Sequence, residues 1–191
     1  MIILCPDPST LFFTMPSSTP HHLTLSDVEF DSFDVMSFGT VAAPAKPSKF
    51  GFQIDVKAST GMGQIIFGLM QEPNRSSEPR LGFGIRVDLE RGEIWDIVNG
   101  SGLIGWVEDP VGNQAGGKNE PILFSLEIER IGSALLPKLQ IGGEEWLYPA
   151  VRSLENLEFT AMAGCSDASH KPMDGEGAFS NASLWCESSD R

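Results

Sequence analysis

The chain has 191 residues, of which 41% are hydrophobic and 20% are charged, so it is long and apolar enough to bury one substantial core. Its formal net charge is -13, which disfavours nucleic acid and anionic membrane surfaces as partners. No apolar run reaches the length that a membrane-spanning helix needs. These quantities predict one acidic globular domain that binds neither nucleic acid nor membranes.

The N-terminal segment has a different composition from the rest of the chain. Residues 1–20 are rich in Ser, Thr and Pro and are predicted to form a loosely ordered arm before a single domain over residues 21–191. The segment has no basic residue at its start, and Pro6 and Pro8 interrupt its apolar run, so it does not match a secretion signal. This pattern favours a cytoplasmic location but leaves the compartment open.

Apolar and polar residues alternate strictly along much of the chain, whereas helical spacing is nearly absent. Turn residues such as Gly, Pro, Asn and Asp separate the alternating segments. Many short strands of this kind predict an all-β fold, a two-sheet antiparallel β-sandwich. In chain order, the predicted strands are Leu23–Phe30, Phe33–Val41, Phe50–Val56, Gln64–Met70, Leu81–Asp88, Glu93–Val98, Leu103–Val107, Ile122–Glu129, Leu135–Ile141, Glu145–Tyr148, Leu157–Ala163 and Leu184–Cys186.

Three segments of this pattern resemble a known family. They are Lys49–Val56, the strand and turn Ile85–Trp95 followed by Asn99-Gly100, and Leu147-Tyr-Pro-Ala-Val. Over Phe50–Phe159, the chain resembles the concanavalin A-like jelly-roll folds and, among them, the SPRY domain. The resemblance implies a non-catalytic module that binds a protein or a glycan through loops at one end of the sandwich.

The residues themselves suggest where a ligand would bind. Carbohydrate sites combine accessible aromatic rings with planar polar side chains. The candidate ligand-binding residues are therefore Trp95, Trp106 and Trp146, with the polar side chains Arg86, Asp88 and Glu90. We expect a recognition module for a carbohydrate or for a protein or peptide, which uses a sheet face or end loops. A structural or assembly role is a further alternative.

A glycoside hydrolase or lyase is the enzymatic alternative, because such enzymes use paired carboxylates. Residues two apart on a strand point to the same face, and three groups of acidic residues have that spacing. Glu93 and Asp96 are three apart, so a regular strand directs them to opposite faces. Each of these carboxylate sets could equally belong to a solvent-exposed sheet face. The sequence contains no other catalytic motif. We therefore predict that the chain is not an enzyme. The sets with the correct spacing are Asp88/Glu90, Glu127/Glu129 and Asp27/Glu29/Asp31.

A late loop offers oxygen ligands for a metal. Asp167, Asp174 and Glu176 lie within it and could hold a structural calcium ion, although acids are also common in turns. No other cofactor is predicted. Among the three cysteines, Cys165 and Cys186 lie near the ends of two late strands. They either form a disulfide across a sheet or remain buried free thiols.

Overall fold

The computed structural model describes residues 2–3, 11–14, 21–22, 34–42, 48–70, 82–98, 102–108, 120–148, 151–152, 158–173 and 178–188. These residues form only strands and turns, and none of them belongs to a helix that could cross a membrane. In chain order the strands are β1 Ile2–Ile3, β2 Leu11–Thr14, β3 His21–His22, β4 Asp34–Ala42, β5 Ser48–Val56, β6 Met62–Met70, β7 Gly82–Asp88, β8 Glu93–Asp96, β9 Leu103–Trp106, β10 Ile122–Ile131, β11 Ala134–Ile141, β12 Glu144–Leu147, β13 Val151–Arg152, β14 Glu158–Asp167, β15 Pro172–Met173 and β16 Phe179–Ser188.

The strands form two sheets. The first sheet has the order β1-β4-β14-β6-β7-β8-β9, and the second has the order β12-β11-β10-β5-β16-β2. Short strands β3, β13 and β15 pair with β4, β11 and β14, and every pairing is antiparallel except the short β1–β4 pair. The late strands β14 and β16 lie beside the early strands β4 and β5, so the chain crosses repeatedly between the sheets. The predicted all-β, two-sheet jelly-roll sandwich is therefore confirmed.

Most of the predicted strands are present, with bounds that shift by a few residues. Alternation missed β1, β3, β13 and β15, which have two residues each, and β2, whose sequence Leu-Phe-Phe-Thr does not alternate. The predicted strand Leu23–Phe30 lies outside the described residues. Within residues 1–20, β2 pairs with β16 over Ser183–Cys186. The division of the chain at residue 20 stays a prediction.

The core is a layer of phenylalanine rings that both sheets contribute. Phe52 of the second sheet stacks on Phe67 of the first, with ring centroids 5.0 Å apart. Phe67 also meets Phe124 of the second sheet at 5.9 Å in an edge-on arrangement. All three rings are fully buried. Because such buried rings contribute most to core packing, they fix which face of each strand points inward.

The single tyrosine links the two sheets by a buried hydrogen bond. Tyr148 follows β12 of the second sheet, and its hydroxyl donates to the carbonyl oxygen of Gly84 in β7 of the first sheet at 2.9 Å. The N–H of Ile97 donates to the same oxygen at 3.0 Å. The carboxylate of Asp96 accepts the N–H of Val98 nearby at 2.9 Å. The end of the β7–β8 pair is thereby held to the opposite sheet.

The two late cysteines do not bond to each other. Cys165 is a buried free thiol whose Sγ donates to the carbonyl of Met173 at 3.4 Å, whereas Cys186 is disulfide-bonded. The alternative of a Cys165–Cys186 bridge is therefore wrong, and the two residues lie in different sheets. The alternative of buried free thiols holds for Cys165 alone. The third cysteine, Cys5, lies outside the described residues.

Burial raises the pKa of Tyr148 far above its usual range, and the nearby Asp96 carboxylate raises it further. The unfolded chain loses the phenolic proton near pH 10, while the folded chain keeps it. The free energy of unfolding should therefore be independent of this group below about pH 10 and fall as the pH rises above it. Tyrosinate absorbance should appear in the native chain only when the chain unfolds, whereas in denaturant it should appear near pH 10.

The variant Tyr148→Phe is the control for that titration. It removes one hydrogen bond, so the free energy of unfolding should fall by about 0.5–1.5 kcal/mol at neutral pH. The additional loss of stability above about pH 10 should disappear in the variant. Native tyrosinate absorbance with a midpoint near pH 10, without unfolding, would contradict the buried position of this hydroxyl.

Candidate functional site

A groove of about 270 Å³ opens on the outer face of the first sheet. Strands β6, β7 and β8 form its floor, and the turns after β7 and β14 form its walls. Its lining is mainly polar and contains one aromatic ring. The lining residues are Gly63, Gln64, Arg86, Asp88, Glu90, Arg91, Glu93, Trp95, Ala168 and His170.

The strand register explains why these side chains share one face. In β7, Val87 points into the core and is fully buried, so its neighbours Arg86 and Asp88 point outward. Arg86 lies opposite Trp95 of β8, and Asp88 lies opposite Gln64 of β6. Residues directly opposite each other in an antiparallel pair point to the same face. Three neighbouring strands therefore build one polar surface.

Trp95 supplies the indole ring of this surface from β8, and the ring has contacts on two sides. The Cζ atom of Arg86 lies 5.9 Å from the ring centroid, within the range of a cation–π interaction. The indole Nε1 donates to Oε2 of Glu93 at 3.2 Å. The ring is half-buried, and its accessible part lines the groove. Its orientation is thus fixed before any ligand binds.

Two buried polar atoms of the groove have no hydrogen-bond partner within the described part of the chain. One is the acceptor Oε1 of Gln64, a residue that is only 5% exposed. The other is the donor Nε of Arg86. Buried polar atoms are rarely left unpaired, because the loss of hydration costs about 1–3 kcal/mol. Both atoms are closed to solvent in this conformation, and both belong to side chains that line the groove.

Asp88 has a structural role as well as a place in the groove. Its Oδ1 accepts the N–H groups of Glu90 and Arg91, each at 3.0 Å, and its carbonyl accepts the N–H of Gly92 at 2.8 Å. These bonds close the turn between β7 and β8. The strand ends at Asp88, and Glu90 is exposed in the turn. The same-face rule for residues two apart therefore does not extend to this carboxylate pair.

The structure brings together four of the six predicted ligand-binding residues: Arg86, Asp88, Glu90 and Trp95. Trp106 lies on the same outer face, opposite Glu93, and is 60% exposed, but it does not line the groove. Trp146 is half-buried and packs against the core, where its indole occupies the space beside Gly105. A ligand-binding role for Trp106 and Trp146 stays a prediction.

The other candidate carboxylates do not form a pair in the groove. Glu93 faces the groove, whereas Asp96 is buried on the inner face, so the expectation that these two point in opposite directions is confirmed. On the outer face of the second sheet, Glu127 accepts a hydrogen bond from Lys49 at 3.2 Å, which raises the pKa of Lys49. The neighbouring Glu129 is half-buried on the same strand. The set Asp27/Glu29/Asp31 lies outside the described residues.

The predicted calcium ligands are described only in part. Asp167 Oδ1 accepts the N–H groups of Ser169 and Lys171 at 2.8 and 2.9 Å, which closes the turn after β14. Asp174 and Glu176 lie outside the described residues. No group of three or more His, Cys, Asp and Glu suited to a metal ion occurs among the residues that the structure does describe. A structural calcium stays a prediction.

The turn after β14 supplies the groove wall that sequence reasoning missed. His170 adopts a left-handed backbone with φ 60°, and Ala168 packs on Gly63 of β6. A Cβ atom at Gly63 would collide with the Ala168 backbone, so only glycine allows this close approach. Gln64 carried a signal, as a polar residue in an otherwise apolar strand. His170 carried none, because at least 75 positions of sequence (95 to 170) separate it from the groove residues on β6, β7 and β8.

Comparisons with known proteins give structural likenesses alone. No protein-family model matches the chain, and neither does any curated protein sequence. Among solved structures, a carbohydrate-binding module from Bacillus subtilis, CBM66, shares 14% identity over 82% of this chain and 92% of its own, with a TM-score of 0.35. The Emp46p carbohydrate recognition domain in its metal-free form shares 10% identity over 88% and 93%, with a TM-score of 0.38.

A beta-glucanase from Bacillus licheniformis shares 9% identity over 83% of this chain and 79% of its own, with a TM-score of 0.37. All three TM-scores are below 0.5, so the assignment of a jelly-roll sandwich rests on the strand order of the chain itself. The resemblance to SPRY domains is not tested by these comparisons and stays a prediction.

Substitution Gly63→Ala should push the turn after β14 away from β6 and open the groove wall. Because the added Cβ meets backbone atoms, we expect the free energy of unfolding to fall by about 1–3 kcal/mol. Chemical denaturation would measure this loss. Gly143→Ala is the matched control, since a Cβ there meets nothing within 4 Å. Equal stability of the two variants would contradict the close packing at Gly63.

Proposed function

We propose that the chain is a recognition module that binds a carbohydrate in the groove on the outer face of the first sheet. One observation carries the proposal: among the residues that the structure describes, Gln64 Oε1 and Arg86 Nε are buried without hydrogen-bond partners beside the ring of Trp95. A ligand that supplies both hydrogen bonds and an apolar ring face matches all three features. Sugars have this combination of groups.

The hydroxyl group matches the unpaired atoms because it both donates and accepts. Once these side chains rotate to expose the two atoms, one hydroxyl of a sugar can donate to Gln64 Oε1, and a neighbouring one can accept from Arg86 Nε. Arg86 lies opposite Ile66, two residues along β6 from Gln64, so the two side chains are diagonal neighbours about 7–8 Å apart at Cα. Both side chains are long enough to reach a single sugar ring between them. The C–H groups of that ring can pack on Trp95.

The charges favour an uncharged sugar over an acidic one. The groove contains the carboxylates of Asp88, Glu90 and Glu93 against the guanidinium groups of Arg86 and Arg91. The whole chain has a net charge of -13, so an anionic ligand is repelled at long range as well. Binding of a neutral sugar should depend only weakly on salt concentration.

Recognition of a protein or peptide is the second candidate, consistent with the SPRY-like pattern. The observation that favours it is the edge of the first sheet, where β9 pairs with β8 alone among the described strands. Leu103 and Trp106 are both exposed on this strand. A peptide could add to such an edge by main-chain hydrogen bonds. An assembly role would use the same edge for a second copy of the chain.

A glycoside hydrolase that uses Asp88 and Glu90 is supported less than simple binding. Such an enzyme needs one carboxylate ready to accept or donate a proton and a second one facing it. Here Asp88 Oδ1 already accepts two backbone N–H groups, and Glu90 is exposed. Incubation of each bound glycan with the chain, followed by analysis for shorter products, would detect the enzymatic alternative.

The direct test is a glycan array probed with the purified chain, with and without calcium, followed by titration of each hit while tryptophan fluorescence is recorded. Substitution Gln64→Leu should weaken the binding of the hit about tenfold, because it removes the acceptor. The same substitution should leave the stability of the free chain unchanged or raise it, since the unpaired atom is lost.

Two further variants complete this test. Arg86→Lys keeps the positive charge but lacks the Nε donor, so it should weaken binding to a similar extent. Gln53→Leu is the matched control, because Gln53 is a half-buried glutamine on the second sheet, away from the groove. An array without any saturable hit would overturn the proposal. Loss of binding in Gln53→Leu as large as in Gln64→Leu would also count against this groove.

A further inference from the structure

We infer that the ligand is an oligosaccharide of at least two rings, which extends from the groove across β8 onto Trp106 at the edge of the first sheet. The inference rests on the proposed function, because it concerns the size of the sugar that the same site binds. Trp106 then forms a second contact surface beside the first one at Trp95.

The register of β8 and β9 places Trp106 next to the groove. Trp106 lies directly opposite Glu93, and Glu93 in turn accepts the hydrogen bond from the indole of Trp95. Trp95 lies two residues from Glu93 on β8, so Trp95 and Trp106 are diagonal neighbours, although a register shift between Ile94 and Trp95 places Leu103 opposite Trp95. In a regular ladder diagonal neighbours lie about 7–8 Å apart at Cα, which is within reach of aromatic side chains. Consecutive rings of one oligosaccharide can therefore contact both indoles.

Packing among the residues that the structure describes does not account for the position of the Trp106 ring. The neighbours of Trp106 on both sides are buried: Gly105 lies beneath Trp146, and Val107 is part of the core. Trp106 itself points the other way and is 60% exposed, and Leu103 on the same strand is 39% exposed. These side chains continue the accessible apolar surface of Trp95 up to the sheet edge. A tryptophan exposed to this degree next to a polar groove is typical of a binding surface.

The shape of the edge also suits a long ligand. β9 is the last strand of the first sheet in the part of the chain that the structure describes. A sugar chain that passes over Trp106 can therefore continue beyond the sheet without meeting another of the described strands. Glu93 lies between the two indoles, and its carboxylate oxygens can accept hydrogen bonds from the hydroxyls of the sugar rings that span them. Ring contacts at both ends and an acceptor between them match two linked sugars better than one.

The test uses neutral oligosaccharide series of glucose, galactose, mannose, xylose and N-acetylglucosamine, each from the monosaccharide to the hexasaccharide. Calorimetric titration would give the dissociation constant for every length in a series that binds. The intact chain should bind the longer members about tenfold more tightly than the monosaccharide. Trp106→Ala should abolish this gain with length and leave monosaccharide binding unchanged, and Trp106→Phe should keep part of the gain.

Leu147→Ala is the matched control, because Leu147 is 81% exposed on the edge strand of the second sheet. It should leave both the affinity and the gain with length unchanged. Equal affinity for all lengths, or an undiminished gain in Trp106→Ala, would overturn the inference while the proposed function stands. A complete lack of binding in every series, with anionic glycans also negative, would overturn the proposed function and this inference together.

Discussion

The stacked contact between Phe52 and Phe67, with ring centroids 5.0 Å apart, is the interaction on which the rest of the structure depends. It joins the two sheets at the centre of the core and fixes the inward face of β5 and of β6. Since side chains alternate along a strand, the inward face determines the outward one. Gln64 and Arg86 therefore face the groove because Ile65 and Val87, beside them in the chain, face the phenylalanine core.

A rigid frame of this kind suits recognition. Hydrogen bonding of Tyr148 to Gly84 holds β7 to the opposite sheet, and the Asp88 turn holds β7 to β8. The indole of Trp95 is oriented by Arg86 and Glu93 before a ligand arrives. A preformed site loses little conformational freedom on binding, which favours affinity for a small polar ligand.

The buried polar atoms of the groove lower the free energy of unfolding instead of raising it. Gln64 Oε1 and Arg86 Nε are buried there without partners in the described part of the chain, although an apolar pair would be less costly to bury. Conflicts between stability and local chemistry are typical of functional sites. Asp88 shows the opposite balance, because its carboxylate satisfies two backbone N–H groups of a turn and so contributes to the fold whether or not a ligand binds.

By itself the sequence determined the features that depend on neighbouring residues, namely the strands and the directions of their side chains. A period of two residues identified the strands and the shared outward face of Arg86 and Asp88, because side-chain direction in a strand depends only on neighbouring residues. Only the tertiary structure decided which side chains from distant parts of the sequence meet in the groove and in the core. Register across the strands placed Gln64 beside Asp88, packing between the sheets turned Trp146 inward, and the turn after β14 brought His170 to the groove. These contacts join segments far apart in the chain, and no local period encodes them.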